Sequence, residues 1–401
     1  MKKILRSAYI LCYIPLHATE MNIQKAYDSL INDDYDTALV AYQELAKTHP
    51  HNGDILCSIG FILKKQQKMQ EAITAYEKAR PFVDRTSKIE RALSSAYLAL
   101  GDFEKGWAAY EYRWINPPAY NQELKNYLNA GNSLKNKIVL LKTEYGLGDT
   151  LQFIRYAKIL KDKGAHIIVE CQKPLIPLLK QCPYIDEIVP EGRPTPYHFM
   201  ALLMSLPLIF DTTRVTIPTQ IPYLYADQTV AAYWQEKLGQ DTHIKIGICW
   251  QADIHKDSPD EIVKKDSQAK SIPLNYLTQL AELPNIKLYS LQKVNGLDQL
   301  TALPRTNKIH HFDALDKEHG PFMDTAALMQ QLDLIITVDT SIAHLAGGLG
   351  VPVWVVLPYA ADWRWMLDRN DSPWYPTMRL FKQSQPGNWQ SVINQMIQGL
   401  K

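Results

Sequence analysis

Between residues 21 and 115 four positions hold register at a spacing of 34. Ala26, Gly60 and Ser94 are small, Tyr35, Met69 and Phe103 are bulky, Ala38, Ala72 and Gly106 are small again, and Tyr42, Tyr76 and Tyr110 are identical. Small residues let two helices approach closely, and the bulky ones fill the space left between them. A period of this length predicts helix pairs stacked side by side in three copies, near the minimum that buries a continuous core. Such a stack serves either as a plain helical bundle or as a concave surface for a peptide, a partner protein or a second subunit. After Trp114 the pattern ends. Residues 116–136 carry Pro117-Pro118, several Asn and Gly131, which together predict a linker.

From residue 137 the text changes. Short apolar runs alternate with helix-length amphipathic segments, and runs buried on both faces read this way in parallel sheets covered by helices. The expected strands are Ile138–Leu141, Ile167–Glu170, Glu187–Val189, Lys245–Cys249, Lys287–Leu291, Leu334–Val338 and Val353–Leu357. A Pro-containing connection, IPTQIPYLYADQ, and a helix near Ala231–Leu238 interrupt the alternation. The chain therefore divides into helical repeats at 21–115, a linker at 116–136, and two Rossmann-like units at 137–238 and 239–401. The expected fold class is α + α/β, with the two units facing each other across a cleft. In such sheets ligands sit beyond the carboxyl ends of the strands.

Two strand ends hold the chemistry. The first reads Thr143-Glu144-Tyr145-Gly146-Leu147-Gly148-Asp149. Gly146 and Gly148 permit a tight turn and close approach of a ligand, and Asp149 falls at or near a helix start, where a carboxylate is favoured by free amides. An Asp in that place caps helices in many proteins, so the turn alone does not imply catalysis. The third glycine of a dinucleotide fingerprint is missing, which disfavours a nicotinamide or flavin site. The second strand end reads Asp339-Thr340-Ser341-Ile342-Ala343-His344, a start of small and hydroxyl residues that makes an anion pocket from backbone amides. His344 is either part of that pocket or a core histidine. Lys270 offers a cation, and Gln292 ends another strand with a polar group. Phosphate, cation and polar groups at neighbouring strand ends point to a nucleoside diphosphate.

The bulk numbers exclude some alternatives. With 43 Lys+Arg against 42 Asp+Glu, nothing favours broad binding to nucleic acid. Cys12, Cys57, Cys171, Cys182 and Cys249 form no C-x-x-C pair, so no zinc site or disulfide framework is expected, and reduced thiols fit a cytoplasmic protein. Residues 1–20 are loosely signal-like but interrupted by Arg6 and Pro15. No other stretch approaches the roughly 20 apolar residues of an integral membrane span.

The segments EYGLGDTLQFIRY, KSIPL, SLQ, MDTAALMQQLDLIITVDTSIAHLAGGLGVPVWVVLPYAADWRW and SPWYPTMRLF together resemble bacterial tetratricopeptide proteins that carry a heptosyltransferase-like domain of glycosyltransferase family 9. The resemblance covers residues 137–401 nearly throughout, and the repeats are that family's usual N-terminal companion. It implies a GT-B fold and an inverting, metal-independent transfer of a sugar from a nucleotide-activated donor, with no cofactor beyond that substrate. It maps the general base onto Asp149, the diphosphate-steadying lysine onto Lys270, a ribose-binding position onto Gln292, and the phosphate or ribose site onto Asp339, Thr340, Ser341 and His344. The expected partners are a nucleotide sugar and a protein, peptide or glycan acceptor, with the repeats recruiting a protein. Two departures stand out. Relatives often have Trp-x-Gly where this chain has Trp250-Gln251-Ala252, and residues 253–269 form a long polar segment, expected as a flexible loop at the cleft mouth. The aromatic run from Asp362-Trp363-Arg364-Trp365 to Trp374-Tyr375 serves either ligand stacking or packing. An alternative of another class is a repeat scaffold whose transferase domain is idle. An epimerase or dehydrogenase on nucleotide sugars is disfavoured by the incomplete glycine fingerprint.

Overall fold

The computed structural model describes residues 21–83, 86–114, 128–129, 131–254, 258–304 and 308–401. The expected linker therefore lies largely outside the described residues, as does the N-terminal segment with Cys12.

Six helices form three hairpins: α1 (Met21–Ile31) with α2 (Tyr35–Thr48), α3 (Gly53–Lys65) with α4 (Met69–Ala79), and α5 (Thr86–Leu100) with α6 (Phe103–Tyr110). The period explains the packing. A Cβ on Gly60 would lie 2.6 Å from the ring of Tyr76, so glycine is what lets that tyrosine sit flat against α3. Asp34, Asn52 and Asp102 cap α2, α3 and α6 with side-chain oxygens that accept from helix amides. Each hairpin turns through one residue of positive φ, namely Asp33 (62°), Gln67 (62°) and Gly101 (80°), again 34 apart.

The first α/β unit has a parallel sheet of β1 (Ile138–Lys142), β2 (His166–Cys171), β3 (Glu187–Pro190) and β4 (Phe199–Leu202) in the order β3-β2-β1-β4. Helices α7 (Leu147–Phe153) and α8 (Arg155–Asp162) connect β1 to β2, and α9 (Gln228–Leu238) closes the segment, ending at Gly239 with φ 65°. The second unit has β5 (Ile244–Cys249), α10 (Glu261–Ala269), β6 (Ile286–Ser290), β7 (Ile309–His310), α11 (Met323–Met329), β8 (Leu334–Val338), α12 (Ser341–Leu349), β9 (Val353–Leu357), β10 (Met378–Lys382) and α13 (Trp389–Leu400). Its sheet runs β10-β9-β8-β5-β6-β7, all parallel. That is the doubly wound order, with its reversal between β5 and β8. Tetratricopeptide-type hairpins followed by two such sheets make the GT-B architecture implied by the sequence.

Three strands lie outside the expected set: β4, β7 and β10. The apolar run FMALLMSLPLIF continues from β4 into a helical turn, so its periodicity does not separate strand from helix. The polar segment expected as a flexible loop carries a helix. Its second half is α10, whose start is capped by Asp260 accepting from Ile262 N at 2.9 Å, with Ile262 and Val263 buried.

The repeats dock onto both units along the edge that carries the three hairpin turns. Asp33 pairs with Lys265 of α10 at 3.0 Å, and Gln67 donates to the carbonyl of Tyr359, just past β9. Gly101 lies so close to Arg214 and Met366 that a Cβ would approach their side chains to 2.6 and 2.7 Å. Trp107 of α6 is buried, its ring 6.1 Å from Phe153, 5.3 Å from Trp363 and 6.3 Å from Trp374. Beside it the buried Arg113 reaches Glu144 at the end of β1, Nε to Oε1 at 3.0 Å and Nη2 to Oε2 at 3.2 Å. The same guanidinium donates to Ser205 at 2.7 Å and to Glu111 at 2.6 Å.

Candidate active site

The turn after β1 begins with Tyr145 at φ 54° and enters α7 at Leu147. Asp149 is the third residue of that helix rather than its cap. Its Oδ2 reaches back to accept the Gly146 N–H at 2.9 Å, half of a capping box. Its Oδ1 accepts from Arg364 Nη2 at 2.5 Å, across the boundary between the units. Burial raises the Asp149 carboxyl above the usual range, and Arg364 and the Gly146 amide pull the other way.

Gly148 meets the second unit directly. A Cβ there would stand 3.0 Å from His344 Cδ2 and 3.5 Å from Ser341 Cα, so the first strand end and the start of α12 touch. Thr340 caps α12 with its hydroxyl accepting from Ile342 N at 3.3 Å. Ser341 opens the helix, and Lys270 Nζ lies 3.6 Å from Asp339 Oδ2. Lys270 is also close enough to act electrostatically on Asp149, His344 and Asp362. Six of the expected side chains or turns are thus gathered in one place: Gly148, Asp149, Lys270, Asp339, Thr340 and Ser341.

His344 and Gln292 are both bonded to other groups of the protein. His344 is buried, bonds Tyr375 Oη through Nδ1 at 2.9 Å and stacks on Trp365 with centroids 5.6 Å apart. Burial, reinforced by Arg364 and Arg155, holds its pKa well below the usual imidazole range, so it is neutral at pH 7. Gln292 Oε1 accepts from the amides of Trp250 at 3.0 Å and Gln251 at 2.9 Å, while Nε2 donates to the carbonyls of Gln251 at 3.0 Å and Asn295 at 2.8 Å. Both of its donors are engaged inside the protein, so it shapes the strand-end loop and has none left for a ribose hydroxyl. Ala252, standing where relatives often have glycine, is buried and donates its amide to Ser271 Oγ at 3.1 Å.

Arg364 is the residue that sequence reading passed over. Its guanidinium donates to Asp149, to Asp362 (Nη1 to Oδ1, 2.9 Å) and to Gln152 (Nε to Oε1, 2.7 Å), and lies 4.3 Å from the Trp363 ring centroid. The signal was present in Asp362-Trp363-Arg364-Trp365, but the tryptophans drew attention from the arginine between them. Those rings pack rather than wait for a ligand: Trp363, Trp365, Trp374 and Tyr375 are all buried. Among the described residues no cluster of three or more His, Cys, Asp or Glu is placed to hold a metal ion, and no helix is long and apolar enough to cross a membrane.

No protein-family model matches the chain. The FlbA protein of Caulobacter vibrioides is 24% identical over 343 residues, which cover 77% of this chain and 54% of FlbA. The chain therefore spans about half the length of that curated relative. Among solved structures, a glycosyl transferase family 9 protein of Veillonella parvula is similar over 67% of this chain and 91% of its own, at 13% identity and a TM-score of 0.47. The ADP-heptose lipopolysaccharide heptosyltransferase II of Escherichia coli is similar over 65% of this chain and 99% of its own, at 13% identity and a TM-score of 0.43.

Proposed function

We propose that the chain is an inverting glycosyltransferase that takes a sugar from a nucleotide-activated donor and hands it to an acceptor hydroxyl. The observation that supports the reading is the meeting of the Gly148 turn, which carries Asp149, with the Asp339-Thr340-Ser341 helix start, with Lys270 beside Asp339 and Arg364 bonded to Asp149. In this reading Asp149 takes the proton of the acceptor hydroxyl. The acceptor oxygen attacks the anomeric carbon from the face opposite the diphosphate, which leaves with the bonding pair. Lys270, Arg364 and the α12 amides neutralise the charge that develops there. A bound diphosphate competes with Asp149 for Arg364, and a carboxylate so released, in a buried setting that raises its pKa, is the better base. The protein, peptide or glycan nature of the acceptor, and recruitment of a protein by the repeats, belong to the same proposal.

The Arg364–Asp149 pair also favours a second reading, a scaffold whose transferase site is held shut. One experiment separates the two. The protein and its Asp149→Asn variant are incubated with a panel of nucleotide sugars, and release of nucleoside diphosphate is measured. An active enzyme turns over at least one donor and loses about 10²–10⁴-fold in the variant, the usual contribution of a general base. No release by the unaltered protein from any donor, together with no thermal stabilisation by any nucleotide, supports the scaffold.

A further inference from the structure

The repeats contain one position that breaks their own rule. Lys64 of α3 is equivalent, at a spacing of 34, to Leu30 and Leu98, both buried core residues. Its hydrogen-bond partner Ser95, with Lys64 Nζ to Oγ at 2.7 Å, is equivalent to Tyr27 and Phe61. A half-buried ammonium and a hydroxyl thus replace a leucine and an aromatic ring at this one step of the stack. Side chains of this kind lose packing and hydration, and nothing in the repeat fold requires them.

What distinguishes the step is its address. Lys65, the next residue, is salt-bridged to Asp266 of α10, and Gln67 donates to the carbonyl of Tyr359 in the loop that leads from β9 to Asp362. Helix α5, which carries Ser95, packs on the turn Trp363–Trp365. Lys64 is therefore held where the repeats meet the carboxyl end of the second sheet, near enough to Asp362 to interact with it electrostatically. Asp362 in turn holds Arg364 and lies within reach of Lys270. Arg364 is bonded to this carboxylate at 2.9 Å, and Lys270 and Lys64, the latter from the repeats, act on it at longer range.

We infer that Lys64 is a ligand-binding residue of the transferase, and that the repeats supply it to the diphosphate of the donor. The inference rests on the donor site proposed above and adds to it a residue from another domain. The repeats then complete the site as well as flank it, and their removal deprives the donor of a cation.

The test uses the full chain and a panel of ADP, GDP, UDP, CDP and dTDP, with the matching nucleosides, measured by calorimetry. Lys64→Leu restores the residue of the sister repeats, so it is expected to melt at the same temperature or higher. Loss of one charge-assisted contact is expected to weaken the best-bound diphosphate about tenfold or more. Lys64→Arg recovers most of that affinity, and nucleoside binding changes by less than about twofold. A Lys64→Leu protein that binds the diphosphate as tightly as the unaltered one overturns the inference and leaves the donor site standing. An unaltered protein that binds none of the five overturns both.

Discussion

Arg113→Met tests whether the repeats are locked to the first strand end by a buried charge. The guanidinium lies wholly inside, and Glu144 beside it is 2% exposed. The substitution keeps an apolar stem of similar length but removes two bonds to Glu144, one to Ser205, one to Glu111 and one to the Tyr110 carbonyl. Glu144 is left with the Met204 amide at 3.2 Å and no neighbouring cation from this contact. Breaking a buried pair by deleting one partner costs about 3–5 kcal/mol, most of it the stranded charge. Removing both in Arg113→Met/Glu144→Leu is expected to restore more than half of the loss, because the deeply buried stranded charge is then gone, while Glu111, which also loses Arg113, is 24% exposed and keeps access to water. Urea titrations of the two single variants and the double variant give the coupling directly. pH supplies a second check. Burial already raises the Glu144 carboxyl, and Arg113 is the chief influence holding it down. Without Arg113 the folded-state pKa climbs further above the unfolded one. Between those two values the folded state then binds more protons than the unfolded, so the variant gains stability as pH falls from 8 toward 5. A variant that loses less than about 1 kcal/mol, or whose loss does not shrink on acidification, refutes the stranded-charge argument.

Two further outcomes follow from the site. Gly148→Val drives a branched side chain against His344 and Ser341, and overpacking of this kind costs about 1–3 kcal/mol; thermal melting with Gly131→Ala as a control, where a Cβ meets only Asn129 Oδ1 at 3.5 Å, checks it, and an unchanged midpoint counts against contact between the units. Burial lowers the Lys64 ammonium to about 8, helped by Lys65 and opposed by Asp362 and Asp266. Diphosphate affinity is therefore expected to fall as pH rises from 7.5 to 9, a decline that Lys64→Leu abolishes.

The sequence made the frame legible because the frame rests on local pattern. A 34-residue spacing and short apolar runs report helix pairs and buried strands without any knowledge of what touches what. The candidate site was legible where a residue's place depends on a strand-end loop, as for Asp149 and the Asp339-Thr340-Ser341 start, which lie after β1 and β8. It was not legible where a partner comes from far along the chain. Arg364 meets Asp149 across 215 residues, and no spacing rule reaches that distance. Gln292 shows the converse limit: its strand-end place is visible in sequence, but the saturation of its amide by Trp250, Gln251 and Asn295 is a property of the folded loop. The docking edge falls between these cases. Asp33, Gln67 and Gly101 share a register, yet their positive φ values and their contacts appear together only in three dimensions.

The manner of docking decides what kind of object the repeats are. A recruiting module on a tether presents its faces to solvent and contacts its enzyme little. Here Trp107 sits among Phe153, Trp363 and Trp374, and burying one such ring fully is worth several kcal/mol. Arg113 enters the first sheet between the ends of β1 and β4, touching Glu144 after one and Ser205 after the other. That is the point where the strand order reverses and where such sheets usually admit a ligand. The repeats thus fill the crevice of the first unit with their own arginine while bringing Lys64 to the crevice of the second. Two independent contacts, one apolar and one charged, fix the orientation, so the helical stack is a third wall of the fold rather than a tethered module.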